Sequence, residues 1–292
     1  MRNLLMVMAL LMVGTLFSQE YTFQTFKDRR IISANSVETL AKRKLDVRIT
    51  HRFGDIAGTA GGFQTFFGFE NAADVLIGAE YGMTDNLNIG LYRTKGAGST
   101  ANGKVGLRQL VNVSLKYKLL KQKNDGSMPI TLTTYGLLST STAKKTASVS
   151  SISSFPAFSD RMAFTVQLLI ARKFSNALSI QITPSYTHRN LVTFGDLNDV
   201  FSVGAAGRLQ LTKVIGILAD VTVPVSGDRT SPNGYYPSIG IGFDIDTGGH
   251  VFQVNLTNSR GILETDYIPY TTSEWNKGQF RIGFTISRLF NL

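Results

Sequence analysis

The sequence predicts an all-β protein, an antiparallel transmembrane β-barrel of about twelve strands. Three observations lead there. Period-two alternation fills most of the chain after residue 45. No stretch after residue 18 approaches the roughly 20 apolar residues that a spanning helix needs. The connections between alternating segments are long at one end and short at the other.

Composition sets the frame. A chain of 292 residues suits one large barrel as well as one or two soluble domains. Hydrophobic residues make up 43%, charged residues 17%, and mean hydropathy is +0.04. That is neither a disordered composition nor the apolar one of a helical membrane protein. Insertion in a bilayer must then use strands, and only closed barrels satisfy every backbone group in lipid.

Arg2, the apolar run from Leu4 to Leu16, and then Phe17 and Ser18 have the layout of a secretory signal over residues 1–18, with cleavage near Ser18. Export is the expectation. There is no cysteine, which excludes disulfides, thiolate metal sites and a lipidated N-terminal Cys. The formal charge of +10 falls by one with Arg2, to +9. An exported basic protein meets anionic lipid phosphates rather than nucleic acid, although the plainer role of such charges is to solvate loops.

The alternating segments are 46–53, 74–82, 87–94, 107–119, 129–139, 161–173, 178–189, 199–211, 214–224, 235–246, 249–258 and 278–290. In 178–188, Leu178, Ile180, Ile182 and Tyr186 share one face, and Ser179, Gln181, Thr183 and Ser185 share the other. No amphipathic helix is expected to interrupt the pattern.

Alternation alone does not separate a barrel from a sandwich. Loop lengths do. Connections 54–73, 95–106, 140–160, 225–234 and 259–277 are long and 190–198 moderate, whereas 83–86, 174–177, 212–213 and 247–248 are short and 120–128 is middling. Outer-membrane barrels have this asymmetry, and an even strand count puts both termini on the periplasmic side. Tyr81, Tyr92, Tyr117, Tyr135, Phe174, Tyr186 and Phe290 fall near segment ends, where interfacial aromatic girdles lie.

Residues 19–45 form a periplasmic N-terminal segment before a barrel over 46–292. It carries Arg29, Arg30, Lys42, Arg43 and Lys44 and does not alternate. Asn35 with Glu38 would cap a short helical turn. An extended tether and a small lumen insert are both open to it.

If the apolar faces meet lipid, parity turns Arg48, Arg52, Glu80, Lys116, Lys118, Arg208, Asp220, Asp244 and Arg281 into the lumen as candidate selectivity residues. Such a wall either fills itself with salt bridges or lines a wet channel with anion preference. Twelve strands lie between barrels filled by side chains and open porins, so the count leaves both. His51, His188 and His250 lack metal-ligand spacing. Tyr186-Thr-His188-Arg-Asn190 is similar to the rim motif of outer-membrane phospholipases, but Asn190 stands where a nucleophilic Ser is required, so no catalytic residue is assigned.

Longer phrases carry a family resemblance. They include the run from Arg30-Ile-Ile-Ser through His51-Arg-Phe-Gly-Asp55, Leu168-Leu-Ile-Ala-Arg-Lys-Phe-Ser175, His188-Arg-Asn190, Asn198-Asp-Val-Phe201, Thr247-Gly-Gly-His250 and Thr257-Asn-Ser-Arg-Gly261. The chain resembles an uncharacterised family of outer-membrane β-barrels found in the Bacteroidetes. The resemblance implies the barrel and its outer-membrane location, and brings no catalytic residues or cofactor. The end, Phe290-Asn291-Leu292, departs from the common C-terminal signature read by the barrel assembly machinery. The expected function is a passive pore for small solutes without a cofactor. The alternatives are a docking barrel with a periplasmic or surface partner, or a homo-oligomer, and last a rim hydrolase.

Overall fold

The computed structural model describes residues 20–292, so the expected signal lies outside the described residues. Two short strands, β1 (Arg30–Ile31) and β2 (Ala34–Asn35), form a hairpin of their own. Twelve longer strands follow: β3 (Lys44–Phe53), β4 (Ala72–Gly82), β5 (Leu87–Thr94), β6 (Leu110–Leu120), β7 (Thr131–Ser141) and β8 (Met162–Lys173) make the first half. The second half is β9 (Leu178–Arg189), β10 (Asp199–Gln210), β11 (Ile215–Pro224), β12 (Ser238–Asp246), β13 (His250–Thr257) and β14 (Arg281–Asn291).

Each of the twelve pairs antiparallel with its chain neighbour, and β14 closes on β3, from Gly283 opposite Arg52 to Asn291 opposite Lys44. Closure leaves no unpaired sheet edge. The expected segments agree with these strands within three residues, and 87–94 and 178–189 coincide with β5 and β9. Local chemistry sets the short turns. Gly248 sits at φ 87°, where side chains are disfavoured, and the Asp246 carboxylate accepts its N–H at 2.8 Å.

The pleat of the wall is inverted relative to a soluble protein. On β9, Ile180 and Ile182 are 40% and 53% exposed, whereas Ser179, Gln181 and Thr183 are buried. Leu115, Ile241, Phe243 and Val254 continue the exposed apolar belt on other strands. An apolar belt that wraps a closed barrel is a lipid-facing surface.

The interior is occupied by two inserts. The chain enters beside the β6–β7 turn, where the Thr22 N–H bonds the Gln122 carbonyl at 2.9 Å. It then runs through the lumen over residues 26–40 as the β1–β2 hairpin, referred to below as the plug, before reaching β3. Of the two forms open to residues 19–45, the insert is the one adopted, so much of this segment lies within the barrel wall rather than outside it. The expected cap at Asn35 and Glu38 is absent. Asn35 belongs to β2, and the Glu38 carboxylate accepts the N–H groups of Thr25 and Phe26 at 2.8 and 3.2 Å.

The second insert corrects the expectation that no helix interrupts the strands. Helix α1 (Glu264–Tyr270) lies in the β13–β14 loop, and all seven of its residues are buried. A helix without an exposed face has no amphipathic period to read.

Candidate functional site

All nine inward-facing residues named from parity lie on the lumen side. Eight are buried and Lys118 is half-buried near the short-turn end. The wall does not use them as one array. Arg208 and Asp244 hold each other in a two-pronged ion pair at 2.6 and 2.8 Å. Glu80 accepts a hydrogen bond from the Tyr92 hydroxyl. That contact depends on absent side chains: a Cβ at Gly78 would stand 2.6 Å from the Tyr92 ring, and one at Gly90 would stand 2.7 Å from its hydroxyl.

Arg48, Arg52, Lys116 and Asp220 grip the plug. Arg48 pairs with Asp28 of the plug and with Asp46 of its own strand at 3.2 Å. Arg29 of the plug reaches Asp46 at 2.6 Å. Two cations and two carboxylates thus alternate across the seam. Asp220 accepts the backbone N–H groups of Ser33 and Ala34 at 2.7 and 2.9 Å, at the hairpin tip. Arg52 donates to the Ser33 hydroxyl at 2.8 Å, and the Lys116 ammonium donates to the carbonyls of Arg29 and Glu38 at 3.3 and 3.4 Å. Arg281 stands apart at the long-loop mouth, donating to the Asn258 carbonyl and to Ser273.

The plug and α1 enter from opposite ends and meet within the lumen. There the Arg30 guanidinium and the Asn35 amide donate to the Glu264 carboxylate at 2.8 and 2.9 Å. One side of the plug is apolar, with Phe26, Ile31, Ile32 and Val37 in a cluster with Leu76, Leu137, Leu169 and Leu218 of the wall and Ile262 and Leu263 before α1. The plug is therefore held by an ionic seam on one side and a greasy one on the other.

Sequence reasoning missed Asp28 and Arg29 as partners of the wall, and Arg30 and Glu264 as the pair that joins the plug to α1. The available signal was the dense charge run Lys27-Asp28-Arg29-Arg30 in a segment without alternation, ahead of a wall with more charges than its own members pair.

Asp196 ties the long loops together at the mouth. It accepts hydrogen bonds from Arg229 at 2.6 Å and from the Tyr270 hydroxyl at 2.9 Å. Burial pushes its carboxyl up, but the Arg229 guanidinium and the Tyr270 hydroxyl outweigh that and hold it below the ordinary value. His188 lies on the outward face at the rim, with its ring nitrogens 2.7 Å from Asp199 and 2.9 Å from the Asn190 side-chain oxygen. A carboxylate and an amide orient this ring. Among the described residues, no hydroxyl nucleophile is hydrogen-bonded to it.

A closed, even-stranded antiparallel wall with an apolar outer belt and a polar lumen defines a transmembrane β-barrel of the outer-membrane type. The chain belongs to the family described as the membrane bound beta barrel domain DUF5777, whose model matches residues 26–290. The family span begins at Phe26 and so includes the plug. No curated protein matches the chain.

Among solved structures, the chain is similar to the NanC porin, at 10% identity and TM-score 0.47, over 85% of this chain and 100% of the porin. It is also similar to the KdgM porin, determined in complex with disordered oligogalacturonate, at 6% identity and TM-score 0.47 over 85% and 99% of the two chains. An outer membrane channel from Pseudomonas putida F1 matches at 12% identity and TM-score 0.47, over 87% and 98%.

Proposed function

We propose that the protein is an outer-membrane pore for small solutes whose resting state is closed by its own N-terminal plug, with α1 as the second half of the gate. The observation that carries this is how the lumen is filled. Eight-stranded barrels fill with their own wall side chains, whereas twelve strands enclose more space. Here that space is closed by the N-terminal segment and the β13–β14 loop, and the wall behind the plug combines hydroxyl, amide and charged groups with the apolar patch of Leu76, Leu137, Leu169 and Leu218. Arg48, Arg52, Lys116 and Asp220 of that wall hold the plug by hydrogen bonds and ion pairs that water replaces when the plug leaves. Displacing the plug exposes surface that water wets readily, with Arg48, Arg52 and Lys116 on it.

The test uses the absence of native cysteine. A Cβ at Gly240 would stand 2.7 Å from Ile32 Cγ2, so the two positions face each other directly and a cysteine at each is the cross-link to try. The double variant Ile32→Cys, Gly240→Cys is refolded, its folding is verified by a heat-modifiable gel shift, and it is recorded in a planar bilayer under voltage. Conductance steps under reducing conditions that vanish on oxidation support the gate. Steps that persist in the oxidised protein place the solute path elsewhere. The filled lumen favours one second reading, a docking barrel, and folded protein that stays silent in both redox states would select it.

A further inference from the structure

The long-loop mouth carries a polar cavity that no plug residue lines. Its volume is about 370 Å³, and Lys95, Arg260, Arg281, Asp55, Ser273 and Gln279 contribute to its lining. Three cations therefore face one carboxylate. None of the three makes an ion pair among the described residues.

Neutral acceptors hold these cations in place. The Lys95 ammonium donates to the Ala72 carbonyl at 2.6 Å, and Arg260 donates to the Ser99 carbonyl at 2.9 Å. Arg281 is 3% exposed and its Nε has no partner among the described residues. Leaving a guanidinium this buried without a counter-charge is costly, and an anion in the cavity relieves that cost.

The nearby acids accept backbone N–H groups, and neither stands within ion-pair distance of the three cations among the described residues. Asp55 accepts the Gly58 N–H at 3.1 Å. Asp74 is buried and accepts N–H groups from Lys95 and Gly96, each at 3.1 Å, and from Ile262 at 2.9 Å. Burial and the neighbouring Arg108 push the Arg260 guanidinium below its ordinary value, and Asp74 offsets them only in part.

We infer that this cavity is a binding site for a small organic anion, recognised through a carboxylate or phosphate group by Lys95, Arg260 and Arg281. Two of these give planar forks suited to such groups, and Ser273 and Gln279 add neutral hydrogen bonds. The volume suits a single small solute. The biological use of the site, collecting solute above the gate, rests on the pore reading, whereas the binding itself does not.

The sole tryptophan of the chain is a built-in reporter. Trp275 follows Ser273 by two residues and packs on Phe280 with ring centroids 5.1 Å apart. The Glu274 N–H that precedes it bonds the Gln279 side chain at 2.7 Å.

The experiment titrates the refolded full chain in detergent micelles with succinate, inorganic phosphate and glucose at constant ionic strength. Trp275 emission and calorimetric heat are followed together. Saturable binding of at least one anion but not of glucose is expected. Response to phosphate alone, or to succinate alone, identifies the recognised group.

Arg260→Gln and Lys95→Gln sit at accessible positions, and each is expected to weaken binding about tenfold or more with the gel shift unchanged. Binding by glucose as strong as by the anions, no saturable response to either anion, or unaltered affinity in both variants would overturn the site. The measurement needs no conduction, so a silent bilayer leaves it standing. A conducting barrel that binds no anion removes the site and keeps the pore.

Discussion

Asp28 is the residue through which the gate is best tested. Its carboxylate receives Arg48 through both terminal nitrogens and also accepts the Gln253 amide at 2.8 Å. The variant Asp28→Asn keeps the shape and removes the charge, leaving Arg48 and Arg29 with Asp46 alone. Removing one partner of a buried ion pair costs about 3–5 kcal/mol. Because Asp46 still pairs both arginines, at 3.2 and 2.6 Å, the lower end applies. This loss falls on the closed state, since only there does the plug lie against the wall. At about 1.4 kcal/mol per decade, 3 kcal/mol raises the open-to-closed ratio about a hundredfold. Single-channel recording reads that ratio as open probability, with folding verified on the same sample. Folded Asp28→Asn protein with an open probability within threefold of the unaltered chain would refute the assignment of the ionic seam as the latch.

Four further outcomes follow from the same geometry. Glu264→Gln removes the charge that joins the plug to α1 and is expected to raise open probability about tenfold or more, read in the same recordings. Adding the Ile32→Cys, Gly240→Cys pair to Asp28→Asn should abolish its openings on oxidation and restore them on reduction, seen as reversible loss of current steps. Leu115→Arg, at the middle of β6 on the lipid face, should destabilise the barrel by about 2–4 kcal/mol in urea unfolding from lipid vesicles. Acid should loosen the loop cap. Asp196 is held below its ordinary value in the folded state, so its contribution is complete above that value and is lost as pH falls through the lowered one. Hydrogen exchange in residues 191–198 and 225–237, corrected for intrinsic rates, should accelerate there, and Asp196→Asn should remove that pH dependence.

The barrel was legible in the sequence because its wall has only two environments. Each strand residue meets lipid or lumen in strict alternation, so Ile180 and Gln181 declare their sides by type alone. The lumen side of Arg48, Asp220 and Arg281 followed from the same parity. What they touch did not follow, because partners are set by the path of the plug through the lumen and lie 20 positions apart in Arg48 with Asp28 but 234 in Arg30 with Glu264. No periodicity encodes such pairs. Helix α1 was hidden for a related reason: Glu264 and Asp266 are as buried as Ile268, so polarity there reports on lumen partners rather than on exposure.

The two seams of the plug set different conditions for opening. Apolar contacts of Ile31, Ile32 and Val37 with the wall resist salt, whereas the Asp28, Arg29, Arg48 and Asp46 cluster is electrostatic but buried, so bulk salt screens it weakly. Neither seam yields readily to ionic strength alone. The tip, however, carries a cost of its own, since Ile32 adopts φ 54°, a left-handed conformation that a β-branched residue resists. The side chain of Ile32 fits there because Gly240 opposite has none. Filling that space should push on the strained tip directly. Gly240→Ala is therefore expected to open the gate by crowding both Ile32 and the Asp220 carboxylate that holds the tip, since the new Cβ would stand 2.7 Å from Ile32 Cγ2 and against Asp220 Oδ1. Folded Gly240→Ala protein whose open probability matches that of the unaltered chain would show that crowding the tip does not release the plug.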